Sequence, residues 1–330
     1  MKILNEAVAE VATTVKEAKA HVHQYTAQRD LCNEWMKHAQ DDRKAFEDPR
    51  QRRHCYTIDM GPNIALPNFE AEQPGDTYYM TPLNVFVFGV VDNSTEKKSK
   101  MNTYLWSEAD GRRGANNIAS CLLKDFEKRG FFDRGEDGEE LAPFESLTIC
   151  ADNCGGQNKN HTVIRLLNWM VEAGYVKEAR LLFFVKGHTK NSCDRMFNIL
   201  KKEYHGRNTF TMEQLVIRLG RNELITIIQM EPTDFYDVHK WQNGYYRRIE
   251  TGTINRTHIF EVLQENESTT LSLKDDRDCE PVTQDLLPKT NRGNASVLSA
   301  EDREKAIRSM YDDLKKPANG FILELSLIHI

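Results

Sequence analysis

Apolar residues recur along this chain with two different periods. Leu4, Val8, Val11, Val15, Ala18, Val22 and Tyr25 fall at alternating steps of four and three, a heptad pattern that predicts a long amphipathic helix over about 5–46. Arg29 interrupts the stripe, and Cys32, Met36 and Ala39 resume it. Such a stripe suits pairing with a second copy through residues 4–39 or docking along the body of the same chain, and docking is the preferred reading.

Beyond residue 50 the pattern shortens to strand-like runs. Residues 54–59, 83–91, 102–106, 146–152 and 179–185 are β-rich apolar segments, several ending in Gly, Pro or Asn. Helical spacing returns at Ile118, Leu122, Leu123 and Phe126, at Val163, Leu166, Leu167, Met170 and Val171, and at Met196, Phe197, Leu200 and Tyr204. The order predicted is βββαβαβα. Residues 207–230 read as a further helix or helix pair, and the aromatic group Phe235, Tyr236, Trp241, Tyr245 and Tyr246 reads as a buried subcore rather than a base-stacking surface.

Three aspartates stand where apolar runs end. Asp59 closes the first run, Asp152 closes the fourth, and Asp194 falls in the first turn of the last helix. Aspartate suits turns and helix N-termini, so each alone has a structural explanation. Together, in this element order, they match what two-metal phosphodiester chemistry needs. Two divalent ions roughly 4 Å apart activate the attacking oxygen and neutralise the leaving one. Mg²⁺, or Mn²⁺ in its place, takes oxygen ligands and keeps several waters, so two or three carboxylates suffice.

Composition leaves that picture standing. At 330 residues with a 39% hydrophobic fraction, the chain can bury one substantial core, and its longest apolar stretch is far short of the roughly 20 residues of a membrane span. The first residues carry no secretory signal, and seven cysteines form no disulfide-like framework, so a nuclear or otherwise intracellular protein is expected. Cys150, Cys154 and Cys193 with His188 offer a weaker, zinc-binding reading. The net charge of −6 is unfavourable for DNA, but residues 150–219 hold 11 Lys/Arg against 6 Asp/Glu, while residues 261–324 hold 9 against 14. Lys159, Lys186, Lys190, Arg195, Lys201 and Lys202 are therefore the candidate phosphate contacts. The cluster Arg50-Gln51-Arg52-Arg53 suits a nuclear-import signal or a phosphate contact, on weak evidence.

The strings Asp152-Asn153-Cys154-Gly155-Gly156-Gln157-Asn158-Lys159-Asn160 and Gly187-His188-Thr189-Lys190-Asn191-Ser192-Cys193-Asp194-Arg195-Met196-Phe197 resemble the D-x-x-x-GQNKN and GHT-x-x-x-x-DR-x-F signatures of a transposon-derived domain of unknown function, DUF7869. That family is similar to the RNase H-like cores of DDE/DDD transposases, and the resemblance covers roughly residues 55–261. It implies an α/β fold with a mixed five-stranded sheet flanked by helices, and Asp59, Asp152 and Asp194 as a metal-binding DDD triad acting on DNA. Carried over in the same way, Asn153, Gln157 and Asn160 would orient metal-bound water or hold a phosphate, and His188 would contact phosphate or donate from the outer shell.

The expected organisation is a helical arm over 1–50, an RNase H-like core with a helical extension over 51–262, and a polar linker with one short helix over 263–324. Residues 325–330, Leu-Ser-Leu-Ile-His-Ile, match the translation of a transposase mosaic-end adapter used in sequencing libraries, so the natural chain is expected to be cut at or near Glu324, with any further C-terminal part of the parent protein missing. A domesticated, non-catalytic nucleic-acid- or protein-binding module, and an oligomerisation protein built on the heptad helix, are the competing functions.

Overall fold

A computed structural model describes residues 2–95, 99–243, 245–249, 251–265, 268–275, 279–284, 286, 312, 314 and 315. Its centre is one mixed sheet of strands β1 (Arg53–Met60), β2 (Ile64–Leu66), β3 (Leu83–Asp92), β4 (Met101–Ser107), β5 (Ser146–Ala151), β6 (Glu178–Phe183), β7 (Ile225–Gln229), β8 (Ile259–Glu265), β9 (Ser268–Lys274) and β10 (Val282–Gln284). The order is β10-β9-β8-β6-β5-β1-β3-β4-β7, with β2 paired to β3. β1 runs parallel to β5, and β5 to β6, whereas β3 is antiparallel to both β1 and β4. The sheet is twice as wide as the five strands expected, and those five form its middle.

The added strands correct two expectations. Residues 225–229 are not helical but form an edge strand parallel to β4, because Ile225, Ile227 and Ile228 follow the break at Gly220–Asn222 and are β-branched. Residues 268–274 are not linker: Leu271 and Leu273 point into the core while Ser272 and Lys274 face the other side, a period of two hidden by polar composition. Most of the proposed short helix near 300–315, and residues 325–330, lie outside the described residues.

Helices cover both faces. α1 is Lys2–Ala45, α2 is Ala115–Lys128, α3 is His161–Glu172, α4 is Ser192–Tyr204 and α5 is Met212–Leu219; the short α6 (Val238–Asn243) and α7 (Thr251–Arg256) follow. α2, α3 and α6 bury Ile118, Leu122, Phe126, Val163, Leu166, Met170 and Trp241 against Tyr56, Ile58, Ile149 and Leu181. Phe235 and Tyr246 join this core, as expected of a buried aromatic subcore. On the opposite face α4 and α5 pack Met196, Phe197, Leu200 and Leu215 onto Val85, Val87, Val91 and Leu105.

Only the second half of α1 docks. Leu31, Cys32 and Ala39 close a small core with Cys55, Cys150, Leu182, Phe184 and Ile259, whereas residues 10–23 are exposed throughout. The basic cluster after α1 is spent internally: Arg50 donates to the carbonyls of Ala142 and Gly130, Arg52 to those of Phe46 and Glu47, and Arg53 to Asp42.

Candidate active site

The site is assembled at the carboxyl ends of two adjacent parallel strands. Ile58 pairs with Ala151, so Asp59 and Asp152 are the next residues on neighbouring strands that lie about 4.8 Å apart. Side chains alternate across a sheet, which puts Asp59 and Asp152 on the face of Thr57 and Cys150, the face that α1 and α4 cover. α4 brings Asp194 to the same face. Its close approach depends on Gly89 and Gly61: a Cβ on Gly89 would stand 2.8 Å from the Met101 sulfur and 3.0 Å from the Phe197 ring, and one on Gly61 would stand 3.1 Å from that ring.

Asn191 links the carboxylates. It caps α4, accepting from the Cys193 amide at 2.7 Å, while its own backbone N–H donates to Asp194 Oδ2 at 2.7 Å, completing a capping box. Its Nδ2 donates to Asp59 Oδ2 at 3.2 Å. Asp59 Oδ1 accepts from the Met60 amide, and Asp152 Oδ1 accepts a short 2.5 Å bond from Asn158 Nδ2.

The electrostatics place Asp59 and Asp152 under the influence of neighbouring carboxylates. Burial, and then the Asp152 and Asp194 carboxylates, push the Asp59 carboxyl up to about 7, against the opposing bond from Asn191. Burial also raises Asp152, with Asp194 adding to it; Asn158, the Cys154 amide and the Arg113 guanidinium pull the other way. Arg113, in the loop between β4 and α2, donates to Asn63 Oδ1 and acts on Asp152 as a neighbouring cation. Together with Asp194, Phe197 and Lys201 it lines a cavity of about 350 Å³ beside the strand ends.

The donor set is all oxygen and carries three negative charges, which suits Mg²⁺ or Mn²⁺ better than a softer metal. As placed, however, no group of three or more His, Cys, Asp or Glu among the described residues stands ready to hold an ion. Each carboxylate is tied to a local amide donor, and Asp194 is turned back into its capping box.

The other expected contacts divide. Lys190 and Arg195 are exposed on either side of Asp194, as Lys186, Lys201 and Lys202 are nearby. Asn153 lies near the site with its Nδ2 3.4 Å from His258 Nε2. Gln157 offers its carbonyl to Asn160, and Asn160 uses its side chain as the N-cap of α3, accepting from the Thr162 and Val163 amides. His188 stacks on Tyr25 of α1 with ring centroids 3.8 Å apart, so its ring serves packing here. Lys159 corrects its expected role. It is 3% exposed, donates to the Asn255 carbonyl, lies over the Phe183 ring and is lowered to about 8 by burial, which makes it a core staple and not a phosphate contact.

The structure shows no contact among Cys150, Cys154, Cys193 and His188; Cys150 instead meets Cys32 and Cys55. Cys150 faces Cys32, 2.9 Å between sulfurs, while Cys193 donates to the Thr57 carbonyl. The neighbouring thiols Cys32 and Cys55, then burial, raise Cys150; burial raises Cys193 and Cys154, which opposes the thiolate that zinc needs.

Asn158, Asn191 and Arg113 are the residues that sequence reasoning did not single out. Asn158 and Asn191 sit inside the two signature strings, where the spacing of three from Asn191 to Asp194 was a readable capping box. Arg113 had no sequence signal beyond its Gly-rich loop.

Residues 76–278 match the domain of unknown function DUF7869. The chain belongs to that family. The DUF7869 segment takes in Asp152, Asp194 and the whole of both signature strings, and begins after Asp59 and α1. Compared with curated proteins and with solved structures, the chain has no match.

Proposed function

We propose that this DUF7869 protein is a transposase-like enzyme that cleaves or transfers DNA strands, built on an RNase H-like core of transposon ancestry. One observation carries the reading: Asp59 and Asp152 stand side by side at the ends of β1 and β5, and Asp194, joined to Asp59 through Asn191, adds to the burial that raises both of their carboxyls. The middle of the sheet supports it, since β4-β3-β1-β5-β6 is the mixed five-stranded unit such a core requires.

Asp59 and Asp152 would flank Mg²⁺ or Mn²⁺, and Asp194 would complete one ion's shell. The ions supply activation of water or a 3′-hydroxyl and neutralise charge on the leaving oxygen. The chain's own contributions are distinct. Asn158 orients Asp152, Asn191 orients Asp59, and Arg113, Lys190 and Arg195 offer cations for backbone phosphates. A nuclear location follows from a DNA substrate.

The test is Mg²⁺- or Mn²⁺-dependent nicking of supercoiled DNA by the full chain. Loss of on the order of 10²-fold or more in Asp152→Ala, with DNA binding kept, supports catalysis. A second reading, a domesticated binding module that kept the fold, is favoured by the capping box that occupies Asp194 Oδ2. DNA binding with no metal-dependent nicking in the unaltered chain selects it.

A further inference from the structure

The Arg165 guanidinium is buried without a counter-charge. Its side chain is fully enclosed against the end of α6, where Nε donates to the Arg247 carbonyl at 3.1 Å, Nη2 to the same carbonyl at 2.6 Å and Nη1 to Asn243 Oδ1 at 2.9 Å. Those acceptors are all neutral. Among the described residues no carboxylate acts on it; burial, and then the Arg248 guanidinium, lower it to about 10. Neutral dipoles leave a buried cation costly, and a nearby anion is what offsets that cost.

Three further groups gather at the same place. His161 stands four residues before Arg165, on the same face of α3. Arg248 comes next after the carbonyl that Arg165 holds; it is exposed, and its side chain has no hydrogen-bonding or ionic partner among the described residues. His239 of α6 meets the amino end of α3, its Nδ1 3.4 Å from Thr162 Oγ1. His161 Nδ1 is buried with no partner, so nothing fixes the tautomer and the ring can carry its proton on Nε2 as a donor. Burial, then Arg165, Arg248 and His239, push His161 down to about 4, so each charged neighbour acting on it is positive. Positive charge with unspent donors matches a phosphate, whose oxygens only accept. Side chains supply the attraction, since Asn160 already caps the Thr162 and Val163 amides.

Position identifies the source of that phosphate. Asn158, which donates to Asp152, is three residues before His161, and three residues span at most about 11 Å. The cluster and the carboxylates therefore share one rim of the sheet, a few nucleotides apart on a strand whose phosphates follow every ~3.4 Å of axis. We propose that His161, His239 and Arg248, backed by the charge of Arg165, bind a backbone phosphate of a nucleic-acid strand a few nucleotides from the one presented to Asp152. The proposal rests on the nucleic-acid reading above and adds to it a grip outside the carboxylates, one that needs no metal ion.

The experiment is fluorescence anisotropy of a labelled single-stranded oligonucleotide with the full chain in metal-free buffer, over a series of salt concentrations, beside Arg248→Gln. Arg248 is exposed, so the variant should keep the melting curve of the unaltered chain. The expected result is weaker binding by the variant, with a slope of log affinity against log salt smaller by about 0.7. Inorganic phosphate added to the unaltered chain should also shift the His161 ring resonances, assigned by their absence in His161→Gln, and the oligonucleotide should suppress that shift. Unchanged affinity and slope in Arg248→Gln overturn the proposal. Phosphate binding with which the oligonucleotide does not compete overturns the nucleic-acid source. Arg248-dependent binding without nicking keeps this site and sinks the enzymatic reading, whereas nicking with binding indifferent to Arg248 does the reverse.

Discussion

At the scale of single residues, Asp59 is the most sensitive reporter of the site. Its carboxyl ordinarily titrates near 3.8 and is held at about 7 by burial and by Asp152 and Asp194. Between those values the folded protein keeps a proton that the unfolded chain has lost, so folding takes up a proton and stability falls as pH rises from about 4 to 7. Asp59→Asn removes that dependence. In metal-free buffer at neutral pH it should raise the melting temperature by roughly 2–6 °C, and the gain should vanish at pH 4, as read by thermal denaturation at both pH values. Adding Mg²⁺ or Mn²⁺ should stabilise the unaltered protein and not the variant. Equal melting curves at pH 7 would remove the case for a strained carboxylate.

The two asparagines give a matched pair at the same scale. Asn158 is fully buried and donates to Asp152 at 2.5 Å. Asn158→Asp puts a second carboxylate in that place, which should raise the Asp152 titration further and cost about 1–3 kcal/mol at neutral pH. Urea denaturation at pH 5 and pH 8 should show the cost larger at pH 8. For Asn191 the outcome splits: Asn191→Asp keeps a helix cap but sets a carboxylate against Asp59, so it should raise the Asp59 titration further, whereas Asn191→Ala should lose the cap, about 1 kcal/mol.

At the scale of elements, the docking of α4 rests on a missing methyl. Gly89→Ala would press a Cβ against Met101 and Phe197, and should destabilise the protein by about 1–3 kcal/mol while moving Asp194 from the strand ends. Chemical denaturation measures the first, and the second appears as a fall in the Asp59 titration. The helices and central strands were legible from sequence because their periods are clean: α2, α3 and α4 begin within about one turn of their first apolar stripe position, and the aspartates stood at visible run ends. β7 and β9 were not. Ile225 to Ile228 fit a helical spacing and a strand equally well over so short a run, and β9 hides Leu271 and Leu273 among Ser, Thr and Lys. What decides such segments is the neighbour they pair with, β4 for one and β8 for the other. Asn158 and Arg113 were illegible for a related reason, since an amide's or guanidinium's target is a matter of tertiary distance.

At the scale of the whole molecule, the sheet extends past its five-stranded middle, and the extension is load-sharing. Leu271 and Leu273 of β9 join the main core, and Lys274 pairs with Glu261, which also faces Arg180. A chain ended at residue 262, where the core was expected to stop, should bare the β8 edge and aggregate, whereas one ended at residue 286 should stay soluble. Light scattering of the two truncations checks this. Among the described residues no helix is long and apolar enough to cross a membrane.

α1 joins both ends of this organisation. It is one unbroken helix of 44 residues, gripped by the sheet over its second half and exposed over residues 10–23. At the boundary Tyr25 stacks on His188, and Arg29 donates to the carbonyls of His188 and Lys190, two residues whose loop runs directly into Asn191 and Asp194. A rod anchored at one end and clasped in this way at its fulcrum is a lever. A shift of α1 would therefore be felt first in the loop that leads to Asp194.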